Sequence, residues 1–278
     1  MRALPDNFDS EAVDETYRRL EGVSRDERVI IPLAVESGSR AWGFPSPDSD
    51  YDCRFVYVRP VEDSFTLFPK RDVIETPLTP IIDVNGWELS KALKLLLTGN
   101  AVIVEWLTSP IVYQAHEEFR SAFLALANVG NRDGFARHYY YMARSQFQRF
   151  ASDEEDQALK KVFYSLRPLM ALRWLRVHAD EKIAPMHFPT LCETADLPGD
   201  LKSCIHDLLA RKAETRELGK GRVPTPIMSF LKSEFALAEQ GLTRSERNAL
   251  EVEAAKEQLD IFWRYWINTL WDKSNAIL

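Results

Sequence analysis

Two aspartates, Asp50 and Asp52, open a run rich in Tyr, Val and Phe (50–59), and a Gly38-Ser39 pair follows the apolar run before it. Side chains two apart on a strand face the same way, so the two carboxylates fall on one face. Two ionised carboxylates at that range repel each other unless a cation sits between them, and a divalent metal is the natural resolution. Magnesium takes oxygen ligands and is usually held by one or two carboxylates together with the phosphates of a substrate. The Gly-Ser turn offers the complementary half of such a site. It has free backbone N–H groups, no side-chain obstruction and one hydroxyl for phosphate oxygens, with Arg40 placed to add a charge-assisted contact. Either feature alone is weak: Asp48-Ser49-Asp50 after Pro47 also reads as a turn with solvated side chains, and Gly-Ser is common in loops. The combination, with Asp50 eleven residues beyond Ser39, is much rarer.

Asp83 adds a third acid. It interrupts the apolar run Ile81-Ile82-Asp83-Val84, where a lone carboxylate in a sheet is expensive unless it also meets the metal. Three carboxylates from two strands suit a two-metal site, in which attacking and leaving oxygens are both clamped during in-line displacement at phosphorus. The expected cofactor is therefore Mg2+, with Mn2+ as a substitute, and the expected ligand a nucleoside triphosphate.

The elements that must hold these residues can be read along the chain. Apolar spacing predicts an opening helix over 7–24, capped by Asp9 or Ser10, and then a strand over 27–35. Residues 37–48 mix Gly, Ser and Pro and read as a loop with a short helical turn; strands follow over 50–59, 72–76 and 80–84. Asn85-Gly86 predicts a turn, with a helix over 87–97 after it. Beyond residue 86 nearly every segment carries helical spacing, predicting helices over 101–107, 116–129, 135–150, 154–178, 201–218, 226–239 and 245–271, with 185–198 as a Pro-containing connection. On the last helix Leu259, Phe262, Trp263, Trp266, Ile267, Leu270 and Trp271 form one stripe, which reads as core. The fold class is α+β: a small mixed β-sheet domain over 1–110, followed by an α-helical bundle over 111–278.

Composition sets the outer bounds. At 278 residues, 45% hydrophobic and 28% charged, the chain is an ordinary globular one. No apolar run approaches the roughly 18 residues of a membrane span, and Met1 to Ser10 lacks a basic segment leading into an apolar one, so a cytoplasmic protein without a membrane partner is expected. Three cysteines lie far apart without a C-x-x-C pair, which argues against a disulfide framework and against zinc; the five histidines show no metal spacing either. A formal charge of −7 gives no global attraction to nucleic acid, so a polyanion must meet a local basic patch. Between 132 and 176 nine Lys and Arg stand against five acids, interleaved with aromatics. There Lys160, Tyr164 and Arg167 fall on one helix face at i, i+4 and i+7, as a triphosphate or nucleic-acid contact requires. The alternative pairs these basic residues with Asp153, Glu154, Glu155 and Asp156 along solvated faces, and Arg173 and Arg176 fit it better. Glu105-Trp106 reads as a structural motif joining the two halves. Oligomeric state leaves no mark on the sequence.

Gly38-Ser39, ten intervening residues and Asp50-x-Asp52 resemble the signature of the DNA polymerase beta nucleotidyltransferase superfamily. The longer run Gly-Ser-Arg-Ala-Trp-Gly-Phe-Pro-Ser-Pro-Asp-Ser-Asp-Tyr-Asp-Cys-Arg more closely resembles the RNA repair pathway DNA polymerase beta family. Asp83-x-x-Gly86-Trp87-x-Leu89 with Lys91-Ala92-Leu93, Gly99-Asn100 before Glu105-Trp106-Leu107-x-Ser109-Pro110, and Tyr164-x-Leu166-Arg167-Pro168 support that narrower match over residues 28–177. The resemblance implies a polymerase-beta-like sheet, metal ligands at Asp50 and Asp52, Asp83 as the third carboxylate that helps activate the attacking hydroxyl, and Gly38-Ser39 at the triphosphate. The implied reaction moves a nucleoside monophosphate onto a hydroxyl with release of pyrophosphate, and the family's name points to an RNA end as acceptor. A small molecule or a protein side chain as acceptor, or a non-catalytic nucleotide-binding module, are the rival readings; the intact acid triad argues against the last.

Overall fold

The computed structural model describes residues 1–150, 157–215, 219–241 and 248–275. In chain order the elements are α1 Ser10–Asp26, β1 Ile30–Glu36, a four-residue helical turn α2 Gly38–Ala41, β2 Tyr51–Val58, β3 Val73–Glu75, β4 Ile82–Glu88, α3 Leu89–Leu97, α4 Ala101–Thr108, β5 Val112–Ala115 and α5 Glu117–Leu126. There follow α6 Arg132–Phe150, β6 Gln157–Ala158, α7 Leu159–Val177, α8 Phe188–Thr194, α9 Gly199–Glu214, β7 Lys220–Gly221, α10 Thr225–Gly241 and α11 Ala249–Asn275. The class is α+β, as the sequence predicts. By compactness the chain forms two units, one of 1–38, 50–130 and 246–278, the other of 39–49 and 131–245. The expected domain boundary at residue 110 falls inside the 50–130 stretch of the first unit.

The first unit is built on a five-stranded mixed sheet in the order β3-β4-β2-β1-β5, in which β2 and β4 run parallel and the other pairs antiparallel. Asp9 caps α1, its carboxylate accepting from the Ala12 N–H at 2.9 Å. Ala12, Leu20 and Val23 of α1 then bury against Tyr51, Cys53, Phe55 and Tyr57 of β2. Strand alternation therefore sends Asp52 and Arg54 to the opposite face. β1 is buried along nearly its whole length, ending in the fully buried Glu36.

Two features of this unit depart from the sequence reading. Asn85 and Gly86 make no turn; both lie inside β4, which runs on to Glu88, so the helix starts at Leu89 rather than at 87. Gly86 is there for the space: paired with Phe55 in the parallel ladder, it leaves so little room that a Cβ would sit 2.2 Å from Phe55 Cδ2. Gly86→Ala is accordingly expected to cost about 1–3 kcal/mol by overpacking, read as a lower urea midpoint; an unchanged midpoint would show that the ring has room to move. The second departure is β5, a strand beyond the expected domain limit at 110, which joins the edge of the sheet beside β1.

α11 closes the same unit. Leu259, Trp266, Ile267 and Leu270 of its stripe are buried, as the stripe predicts, and Trp266 and Phe262 meet Phe119 and Phe123 of α5 at 5.2 Å. The Trp271 indole N–H donates to the Arg59 carbonyl at 2.9 Å. Trp106 stacks on Trp87, ring centroids 4.1 Å apart.

The second unit is helical. α6 and α7 pack along each other, and α10 and α8 flank α7. The segment 185–198, expected as a plain connection, contains α8, with Pro189 in its first turn where no N–H is needed. Arg173 and Arg176 both reach the buried Glu234, at 2.9 and 2.6 Å, which makes them structural as expected but with a partner other than Asp153 to Asp156; those four lie outside the described residues. The stretch 39–49 belongs to this unit, as a packed insert rather than a free loop. Phe44 stacks on Phe163 at 5.2 Å, lies edge-on to Phe188 at 5.7 Å, and its carbonyl accepts from the buried Lys212 ammonium at 2.5 Å. The cysteines are free thiols, and among the described residues no helix is long and apolar enough to cross a membrane.

Candidate active site

The site starts from strand register. β2 and β4 are parallel with Asp52 directly opposite Asp83, so two carboxylates emerge side by side on the face away from α1. Arg54, two residues on from Asp52 and therefore on the same face, sits between them. Its Nη2 donates to Asp52 Oδ1 at 2.9 Å and to Asp83 Oδ2 at 2.8 Å. Its Nη1 donates to the carbonyls of Asp83 at 2.9 Å and Cys53 at 3.0 Å. Asn85, again two residues on from Asp83, donates to Asp83 Oδ1 at 3.2 Å. Asp50 lies one residue before β2 and is exposed.

Gly38 completes this cluster. Its φ is +60°, and a Cβ there would lie 2.0 Å from Asp52 Oδ2. Only a residue without a side chain lets the backbone approach the carboxylate so closely. The neighbouring Ser37 N–H donates to the Asp52 carbonyl at 2.9 Å.

Glu36, the last residue of β1 and one beyond the strand expected over 27–35, supports Asp52. Its Oε1 accepts from the Asp52 backbone N–H at 2.9 Å and its Oε2 from the Tyr113 hydroxyl at 2.6 Å. The Ser109 hydroxyl donates to the Glu36 carbonyl at 2.7 Å. Buried acids persist only when hydrogen-bonded in this way. Burial pushes the Tyr113 phenol far above its usual range, with Glu36 adding to the shift. Arg54 is absent from the expected site residues, although its spacing to Asp52 was a signal for it; Glu36 and Tyr113 carried no local signal.

Burial raises the Asp52 carboxyl above its ordinary 3.8, with Asp83 and Asp50 pushing the same way and Arg54 pulling it down. Among the described residues no three His, Cys, Asp or Glu side chains are gathered as a ready-made metal cluster. Asp52 and Asp83 nonetheless share one point at hydrogen-bond distance that already carries a positive charge. A magnesium ion held by one or two carboxylates and completed by phosphate oxygens fits that pair.

The remaining expected residues belong to the helical unit. Ser39 is nearly buried, its hydroxyl donating to the Ser49 hydroxyl at 2.9 Å, and Arg40 Nη2 donates to the Ser49 carbonyl at 2.5 Å. Ser49 in turn accepts from the Ser46 N–H at 2.8 Å, so three serines brace the segment. Tyr164 is half-buried, edge-on to Trp42 at 6.2 Å. Arg167 is only 1% exposed, its guanidinium 4.2 Å above the Trp42 ring and reaching toward the Met186 carbonyl. The side chain of Lys160 lies outside the described residues; its backbone is in α7. Tyr164 and Arg167 therefore meet the 39–49 segment, a pairing their helical spacing alone does not reveal.

The sequence pattern of the RNA repair pathway DNA polymerase beta family matches residues 13–264 of this chain. Among curated proteins, the uncharacterized protein YcgL of Bacillus subtilis (strain 168) is 37% identical over 250 residues, spanning 89% of this chain and 90% of that protein. Among solved structures, a nucleotidyltransferase-like protein from Exiguobacterium sibiricum 255-15 is 12% identical with a TM-score of 0.29, covering 83% of this chain and 74% of the other.

Proposed function

Because the chain belongs to the RNA repair pathway DNA polymerase beta family, we propose that it is a magnesium-dependent nucleotidyltransferase moving a nucleoside monophosphate from a triphosphate to a hydroxyl, with an RNA end as the acceptor. The observation that carries this reading is the parallel register that sets Asp52 beside Asp83, with Gly38 pressed against Asp52.

In this mechanism the acceptor oxygen attacks the α-phosphorus, its proton passes to the Asp83 carboxylate, and the bond from the α-phosphorus to the bridging oxygen breaks. Pyrophosphate leaves with that electron pair. Asp50, Asp52 and Asp83 are the proposed ligands of Mg2+, which would neutralise phosphate oxygens and stabilise the charge that develops at phosphorus. Glu36 holds the Asp52 backbone, and so the carboxylate, in register. Gly38, Ser39 and Arg40 are proposed for the triphosphate on their chemistry, as are Lys160, Tyr164 and Arg167.

The test supplies each of four α-labelled nucleoside triphosphates with magnesium to RNA, DNA and a cell extract. Label is expected in an acceptor that Asp83→Asn no longer labels, and the fraction that takes it separates an RNA end from a small molecule or a protein. No label from any nucleotide in any fraction, or undiminished labelling by Asp83→Asn, would overturn the reading.

A further inference from the structure

Two carboxylates on adjacent strands need a counter-charge whether or not a metal is present, and this chain supplies one. A single nitrogen of Arg54 spans Asp52 Oδ1 and Asp83 Oδ2, while the other terminal nitrogen is tied to two backbone carbonyls of the same strands. The side chain is only 16% exposed, less than either carboxylate at 26% and 32%, so this ion pair is built into the sheet rather than solvated. A guanidinium stays protonated at any pH a folded protein meets, so its hold on the carboxylates is not released by titration. It can be offset only by a competing cation or by added negative charge.

We propose that Arg54 is an internal counter-ion that competes with the divalent cation for Asp52 and Asp83 and makes metal loading conditional on the arrival of a triphosphate. The proposal rests on the nucleotidyltransferase reading above. A bare divalent ion approaching the pair meets the guanidinium charge at close range and must displace Nη2 from two hydrogen bonds. A metal already carrying a triphosphate brings several negative charges with it, which screen that repulsion and give the guanidinium phosphate oxygens to bind. The Nη1 bonds to the Cys53 and Asp83 carbonyls keep Arg54 at the site after Nη2 has let go. Arg54 is thus a positioning residue, holding the carboxylates together beforehand and setting the order in which ligands enter.

The test is Mn2+ binding, followed by the electron paramagnetic resonance of free Mn2+, to the wild type, Arg54→Met and Arg54→Lys. Each is measured alone and with a mixture of unreactive α,β-methylene nucleoside triphosphates. Without nucleotide, Arg54→Met is expected to bind Mn2+ at least about tenfold tighter than the wild type, and Arg54→Lys, which keeps the charge, to stay within about threefold of it. Nucleotide is expected to strengthen Mn2+ binding more in the wild type than in Arg54→Met. Arg54→Met binding Mn2+ no tighter than the wild type, in the absence of nucleotide, would overturn the proposal. If that variant lacks a cooperative thermal transition, Arg54→Gln, which retains a donor for the carbonyls, is judged by the same criterion. Label transfer by the wild type, measured in parallel, separates the two levels. Intact transfer with unchanged Mn2+ affinity in Arg54→Met removes the counter-ion role alone, whereas absent transfer removes the functional reading.

Discussion

Asp52→Asn is expected to abolish nucleotide transfer while leaving the metal-free protein at least as stable as the wild type at neutral pH. The loss of activity should far exceed a factor of about 100, because even changes to the neighbours of metal ligands cost that much. The stability half follows from the electrostatics of the site. Burial raises the folded-state pKa of Asp52 above the ordinary 3.8, so the folded protein holds this proton more tightly than the unfolded chain does. The resulting contribution to stability is fully present below the ordinary value and is lost as the pH rises through the raised one. At neutral pH the ionised Asp52 is therefore a burden that asparagine lifts, while Arg54 retains its bond to Asp83. Melting temperatures compared across pH should show the variant level with or ahead of the wild type at pH 7, with any lead closing below pH 3.8. Magnesium with nucleotide should then raise the wild type alone. A wild-type lead at neutral pH without metal would contradict this.

Gly38→Ala is expected to cost about 1–2 kcal/mol of stability from its left-handed backbone and at least about a hundredfold in activity. The two effects have different origins. A φ of +60° strains any residue with a Cβ, which accounts for the stability loss. The activity loss comes from Asp52: the new methyl would stand 2.0 Å from Oδ2, so the carboxylate must move from its place opposite Asp83. A misplacement near an ångström at a reacting centre is enough for a loss of that size. Gly199→Ala is the control, since an added methyl there meets nothing within 4 Å. Equal activity losses in the two variants, assayed with labelled nucleotide, would remove the special role of Gly38.

What the sequence disclosed was local. The placing of Asp52 on a strand, the cap at Asp9 and the buried stripe of α11 all follow from spacing within a single element, whereas Asp50, expected on the same strand, lies just before it. Asn85-Gly86 misled because a glycine serves two purposes, and the second, clearance for the ring of Phe55, depends on a strand thirty residues earlier. β5 is too short to show a pattern, and without it the bond from Tyr113 to Glu36 was invisible. Trp42 and Phe44 sit among Ser, Gly and Pro, and that composition reads as loop. Only the aromatic partners on α7 and α8, more than a hundred residues later, turn the segment into core. The proposed acids were legible because the chemistry they would serve constrains their spacing, whereas the groups that brace them are constrained only by contact in the folded chain.

One measurement bears most directly on the central claim: the fate of each phosphorus when the wild type is given magnesium, acceptor and nucleoside triphosphate labelled at either the α or the γ position. Transfer of a nucleoside monophosphate predicts that the α label enters the acceptor while the γ label leaves as pyrophosphate, and that Asp52→Asn does neither. Appearance of the γ label in the acceptor, or of the γ label as free phosphate with the α label still in a diphosphate, would contradict it.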